Sequence, residues 1–247
     1  MPEVKNILRH QEFFLCIKKG ENNMKSNVMT NQNKSLFSTR QLVTISLLSA
    51  LAYVLMLIHL PFKYLGFLEV EFSDIPAVIA ALAYGPFAGV VVELVKNLIK
   101  ALTASTTGMV GELANFLISS AYIIPVGLLY KLRMTKKLKA GNNKVTSPAD
   151  TEKSKSAAYM FFIFGVGTIA MAVAGALLNY YVMLPLYAKF LGGMDAIVGI
   201  ASSNVPAVKD LASLILVGIT PFNIFKGIYI AVIGYYTHRM LKGRLLN

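Results

Sequence analysis

Apolar residues run almost unbroken from about Gln41 to Leu60 (QLVTISLLSALAYVLMLIHL), close to the roughly 20 residues a helix needs to cross a hydrocarbon core. Pro61 is expected to end that segment. Positions 61–73 (PFKYLGFLEVEFS) alternate aromatic residues with Lys63, Glu69 and Glu71, a period-two pattern that predicts a short extended stretch at the membrane surface. Asp74 reads as an N-cap with Pro76 in the first turn, opening a second segment over about 74–84. Gly85-Pro86 then turns the chain into a third, over about 86–103.

A fourth apolar segment spans about 112–132 with Pro125 as its kink, and a fifth spans about 157–183, where Gly165, Gly167 and Gly175 allow close helix approach and Pro185 closes it. Thr220-Pro221 reads as a cap followed by a first-turn proline, starting a sixth segment that reaches about Met240. Between the last two, 186–219 reads as a long return loop whose apolar run LASLILVGI makes a short interfacial helix. The pattern is that of an all-α integral membrane protein with six transmembrane helices in a single domain over 39–247.

Composition supports this reading: 55% of the 247 residues are hydrophobic and 15% charged, with a mean hydropathy of +0.59, beyond an ordinary soluble domain. The net charge of +12 gains its meaning from position. Of 24 Lys and Arg, seven lie in 1–40, eight in 131–156 and three in 239–247. All 18 fall on one side of a six-span topology, which is cytoplasmic by the positive-inside rule, with both termini on that side. The basic charge is therefore an orientation signal, and no nucleic-acid partner is expected.

Residues 1–38 read as a disordered or non-native cytoplasmic tail, with Met24 and Met29 as alternative starts, and 133–156 as a flexible basic linker. The first apolar run starts too late for a signal peptide and is retained as a span. One cysteine, Cys16, forms no internal disulfide, and His10, His59 and His238 have no ligand spacing, so no metal is expected.

The topology assigns a depth to each polar residue inside a span. Lys96, Asn97, Asn115, Asn179, Asn223 and Lys226 come from four segments and share the outer leaflet. A lone amide or ammonium in hydrocarbon costs several kcal/mol, so their convergence predicts a polar cavity opening outward, accompanied by Phe116, Tyr180, Tyr181, Phe222 and Phe225. Asn presents an acceptor and a donor together and Lys226 adds a point donor. The set suits a flat, hydrogen-bonding ligand with an imide edge or hydroxyls.

Each residue also has a plainer reading. Glu93 and Lys96, three apart on one helix face, pair with each other as readily as they line a pocket, so Lys96 and Asn97 are either ligand contacts or braces. A single Asn is as well explained by an interhelical hydrogen bond, and Glu69 and Glu71 by an exposed loop. Ser46 and Ala50 form a small-xxx-small pair, extended by Ala52, that another helix can approach closely, inside this protein or in a partner. A membrane enzyme would need clustered carboxylates or a nucleophile with a base at the cytoplasmic ends, which offer Lys and Arg but no acidic cluster.

At the level of motifs, FSDIPAVIAALAYGPFAGVVVELVKNL (72–98), ELANFL (112–117), NYYVMLPLYAKF (179–190) and TPFNIFKG (220–227) resemble the riboflavin-binding S component of energy-coupling factor (ECF) vitamin transporters. The likeness covers about 38–242. It implies the S-component fold, riboflavin or FMN as the transported ligand with no cofactor, and capture from outside by Leu68, Glu69, Asn115, Asn179, Asn223 and Lys226. The loop from Leu68 to Phe72 would then be the outer gate, and the helical pair after it the brace.

The resemblance further implies docking through Ser46 and Ala50, with serine replacing one alanine, on a transmembrane coupling subunit. Two partner ATPases supply the work, in keeping with the absence of a phosphate loop from this chain, and the location is the bacterial cytoplasmic membrane. An S component for another vitamin is the nearest alternative. The absence of tryptophan disfavours a thiamine binder, and the neutral amides disfavour an anionic ligand such as folate.

Overall fold

A computed structural model describes residues 37–65, 68–140 and 149–241. The expectations for the tail up to residue 36 and for linker residues 141–148 lie outside the described residues. The chain divides into units Met1–Arg40 and Gln41–Asn247, and the second carries the architecture that follows. Its helices are α1 (Thr39–Leu57), α2 (Asp74–Tyr84), α3 (Pro86–Thr103), α4 (Val110–Ala140), α5 (Ala149–Leu178), α6 (Leu184–Leu191), α7 (Met194–Asn204), α8 (Leu211–Ser213) and α9 (Thr220–Leu241). A hairpin of β1 (His59–Tyr64) and β2 (Leu68–Glu71) separates α1 from α2.

Among the described residues, four helical stretches are long and apolar enough to cross a membrane: Thr39–Leu57, Val110–Lys136, Ala157–Lys189 and Leu211–Met240. Six spans are therefore not all met on length and composition. The α2 helix has 11 residues, and α3 carries Glu93, Lys96 and Lys100 within its 18.

Local chemistry explains where the elements depart from expectation. The first helix stops at Leu57, and Pro61 lies inside β1. The ladder pairs Lys63 with Glu69 and Tyr64 with Leu68, but its register shifts between His59 and Lys63, where Pro61 has no N–H to give a partner strand. The extended stretch is thus a folded hairpin. Ser73, not Asp74, occupies the N-cap position of α2, and the Asp74 side chain is buried. Helix runs on through Ala140 and resumes at Ala149, narrowing the linker expected over 133–156.

Neither proline bounds its segment: Pro185 does not close the fifth, and Pro221, expected in the first turn of the sixth, lies inside a helical run capped by Asp210. The chain passes Pro185 through a π-helical turn, Asn179–Met183, and Pro221 through another, Leu214–Ile219. Each proline follows its π turn by two residues. An α-helix here would set the proline ring against the carbonyl of Tyr181 or Val217, four residues back; a widened turn relieves that clash. The return loop is consequently helical, with α6 and α7 inside it. The last helical run starts at Asp210, whose carboxylate accepts the Ser213 N–H at 2.8 Å while the Asp210 N–H donates to Ser213 Oγ at 2.9 Å, a reciprocal capping box.

Within the bundle, α4 packs on α3 and α5, α9 on α5 and α2, and α2 on α3. The α2–α3 turn is the tight pair expected, with Gly85 at φ +100° and its N–H bonded to Ala81 O at 2.9 Å. In contrast, α1 buries only Ile45, Ser49, Ala52 and Met56. Ser46 and Ala50 are exposed, whereas Ala52 turns inward and is not part of the smooth outer surface expected of it.

Glycines act where helices touch. A Cβ on Gly89 would stand 2.6 Å from Ile123 Cγ2 on α4 and 2.7 Å from the Ala77 carbonyl on α2, while one on Gly165 would meet nothing within 4 Å. Gly165 is therefore not one of the close-approach glycines. Gly89→Ala is expected to cost about 1–3 kcal/mol through overpacking, seen as a lower thermal midpoint in detergent. Gly165→Ala should leave the midpoint unchanged or raise it, since Ala favours helix over Gly by about 1 kcal/mol.

Candidate functional site

The centre of the site is Asp74, the first residue of α2 and 1% exposed. Its Oδ1 takes the ammonium of Lys96 from α3. Its Oδ2 lies 2.8 Å from Lys226 Nζ on α9 and accepts from Ser119 Oγ on α4 at 2.9 Å. One carboxylate thus ties four helices together. Lys96 Nζ also donates to Ser73 Oγ at 2.8 Å and lies 2.8 Å from Glu93 Oε1. Ions this deeply buried persist only when paired and hydrogen-bonded.

The network reaches outward through Lys226, which donates to Asn115 Oδ1 at 2.8 Å; Asn115 Nδ2 in turn donates to Glu71 Oε1 at 2.7 Å. Tyr229 Oη donates to the Glu71 carbonyl at 2.6 Å, fixing β2 against α9. Among the described residues, Glu71 Oε2 is buried with no hydrogen-bond partner.

Above this chain lies a cavity of about 320 Å³, at the lower end of small-molecule sites, which run from about 300 to 1,000 Å³. Leu68, Glu69, Asn115, Asn179, Asn223 and Lys226 all line it. The hairpin supplies the first two, α4 the third, the π turn after α5 the fourth and α9 the last two. Asn179 Nδ2 donates to Gly175 O at 2.7 Å and Asn223 Nδ2 to Ile219 O at 2.9 Å, so both amides are held in orientation by their own helices. A Cβ on Gly175 would stand 2.5 Å from Asn223 Nδ2. The glycine is what lets α5 close on that amide.

Lys96 and Asn97 do not line the cavity. Lys96 is buried in the ion network between α2 and α3, which favours its reading as a brace, and Asn97 donates to the Glu93 carbonyl of its own helix at 2.8 Å. Of the aromatics expected alongside the amides, Phe222 lines the cavity, but Tyr180, Tyr181 and Phe225 are exposed, and Phe116 is half-buried outside the lining. Helical phase turns Tyr180, Tyr181 and Phe225 outward, because successive residues on a helix point in different directions.

Residues that sequence reading missed also line the wall. Tyr187 was assigned to a return loop. Glu112 read only as a helix start, yet it is 5% exposed and accepts from Ser105 Oγ at 3.0 Å. Lys100, near the end of the third segment, was not singled out, but it lines the cavity from α3, 3.5 Å from Glu69 Oε2. Asp74 carried a visible signal: an acid at the head of an apolar segment, facing spans that hold two lysines. Its short-range reading as a cap obscured that partnership.

A family model described as "ECF transporter, substrate-specific component" matches residues 40–236. Riboflavin transporter FmnP of Bacillus subtilis (strain 168) is 36% identical over 199 residues, covering 78% of this chain and 87% of that protein. Riboflavin transporter RibU of Staphylococcus aureus (strain TCH60) is 34% identical over 208 residues, covering 83% and 92%. A solved structure described as "Structure and mechanism of the S component of a bacterial ECF transporter" is similar with a TM-score of 0.56 at 32% identity, covering 84% of this chain and 98% of that one.

Removing the hub while leaving two buried ammonium groups is the costliest single change available to the site. Asp74→Ala is expected to destabilise the protein by about 3–5 kcal/mol, the cost of breaking a buried ion pair from one side, measured by thermal unfolding in detergent.

Proposed function

The chain belongs to the family of ECF transporter substrate-specific components, and from that premise we propose that it captures riboflavin from outside the cell in the cavity between the hairpin and α9. The observation that carries this reading is the meeting of Leu68, Glu69, Asn115, Asn179, Asn223 and Lys226 around one cavity. Phe222 and Tyr187 give a flat ring system aromatic contact. The held amides of Asn179 and Asn223 match the alternating donors and acceptors of an imide edge. Glu71 Oε2, a buried acceptor without a donor, suits a ligand hydroxyl or N–H. FMN, which adds a phosphate, is the second ligand of this reading.

The protein sits in the bacterial cytoplasmic membrane with six segments in the bilayer region and both termini cytoplasmic. The short α2 and the charged α3 cross as a pair, shielded by α4 and α9, their ions turned inward. The chain hydrolyses no ATP. It docks through the exposed Ser46 and Ala50 of α1 on a transmembrane coupling subunit, and two ATPase subunits drive the tilting that delivers the vitamin.

Protein purified after growth with riboflavin is expected to show flavin absorbance, and ligand-free protein to quench riboflavin fluorescence at sub-micromolar concentration. Absence of both sinks the assignment. Asn223→Ala and Lys226→Ala should each weaken binding by about 10- to 100-fold, because a ligand group or a buried partner is left unpaired at about 1–3 kcal/mol. Unchanged affinity would remove the residue from the site.

Docking separates from capture in a second measurement. Ala50→Leu is expected to leave riboflavin binding in detergent unchanged while abolishing uptake in cells that carry the coupling module. Normal uptake by that variant would place the docking face elsewhere.

A further inference from the structure

The hairpin that carries Leu68, Glu69 and Glu71 to the cavity is pinned at its turn. Leu65 directly follows β1, has φ +57°, a conformation β-carbon sterics disfavour for leucine, and is 1% exposed. It does not face membrane or water. It is buried with Leu184, Ile197, Val208, Leu214 and Ile219, a small apolar core built by the outer helices and the second π turn.

The point of entry is Gly218, within that π turn. A Cβ at Gly218 would stand 2.7 Å from Leu65 Cδ1 and 3.3 Å from Cδ2, so only glycine leaves room for the leucine. A terminal methyl on an open surface would rotate away, but Leu65 is enclosed and close-packed side chains have no empty rotamer to enter. One residue before Leu65, Tyr64 stacks on Phe222, with centroids 5.7 Å apart and planes 11° from parallel. One residue after Gly218, Ile219 lines the cavity. The two contacts therefore join neighbouring residues at the end of β1 to positions four residues apart on the second π turn and α9.

We propose that Leu65 and Gly218 form a ball-and-socket latch that positions the cavity-lining strand β2 against α9, and that Gly218 is a positioning residue for ligand retention. The latch sets the spacing between the two walls without touching the ligand itself. Its retention role rests on the riboflavin reading, whereas the latch itself is testable without a ligand.

Gly218→Ala should speed hydrogen exchange of hairpin amides over 59–72 in the ligand-free protein, while amides of α4 and α5 keep their protection. Hairpin amides that exchange no faster overturn the latch whatever the ligand is. In stopped-flow fluorescence the same variant should release riboflavin about tenfold faster, a loss expected of overpacking. Faster hairpin exchange with an unchanged release rate removes the retention role.

If wild-type protein binds no riboflavin, the assignment of ligand fails and the exchange result alone decides the latch. The double variant Leu65→Ala/Gly218→Ala supplies the specific readout. Removing the obstructing methyls should bring its exchange rate back to that of Leu65→Ala alone. Effects that simply multiply would show two unrelated losses and overturn the socket.

Discussion

Putting a carboxylate into a protein this apolar requires that its charge be answered at once, and Asp74 is answered by two lysines from different helices and a serine from a third. Neither Lys96 nor Lys226 is tolerable at its depth alone, and Asp74 without them would be an unpaired ion. The three are therefore mutually obligatory. They fix α2, α3, α4 and α9 in one arrangement while most of the remaining contacts are apolar and directionless. Pairing of this kind contributes little net stability but defines geometry, since every alternative packing strands a charge.

The cavity inherits its order from that network. Lys226 is shared between Asp74 and Asn115, and Asn115 between Lys226 and Glu71, so the polar floor of the cavity is positioned before any ligand arrives. The walls depend on a different device. Two prolines that would break helices are each passed by a π turn; one turn carries Asn179 and the other carries Gly218 and Ile219. In this protein the widened turns coincide with the cavity wall, to which they contribute Asn179 and Ile219.

What could be read from the sequence divides by the range of the interaction involved. The apolar runs, the Gly85-Pro86 turn and the inward convergence of Asn115, Asn179, Asn223 and Lys226 were legible because they depend on local pattern and on depth within the membrane. The partners of Asp74 were not, because an acid at the start of a helix looks like a cap until lysines 22 and 152 residues away are placed beside it. Pro185 and Pro221 misled for a related reason: local rules put a proline just past the end of a helix or in its first turn, and only tertiary packing supports the wider turn that carries one helix past it. Tyr180, Tyr181 and Phe225 were grouped with the amides by closeness in sequence, and helical phase turned them outward. Lys100 and Glu112 line the cavity although neither looks like more than a helix end.

The proposed ligand has to enter a cavity whose floor is already held by the Asp74 network. A crystal structure of the riboflavin complex tests this most directly. It should show the flavin between β2 and α9, in contact with Asn179 and Asn223, with Lys226 still paired to Asp74. Flavin density outside that cavity, or Lys226 withdrawn from Asp74 to meet the ligand, would contradict it.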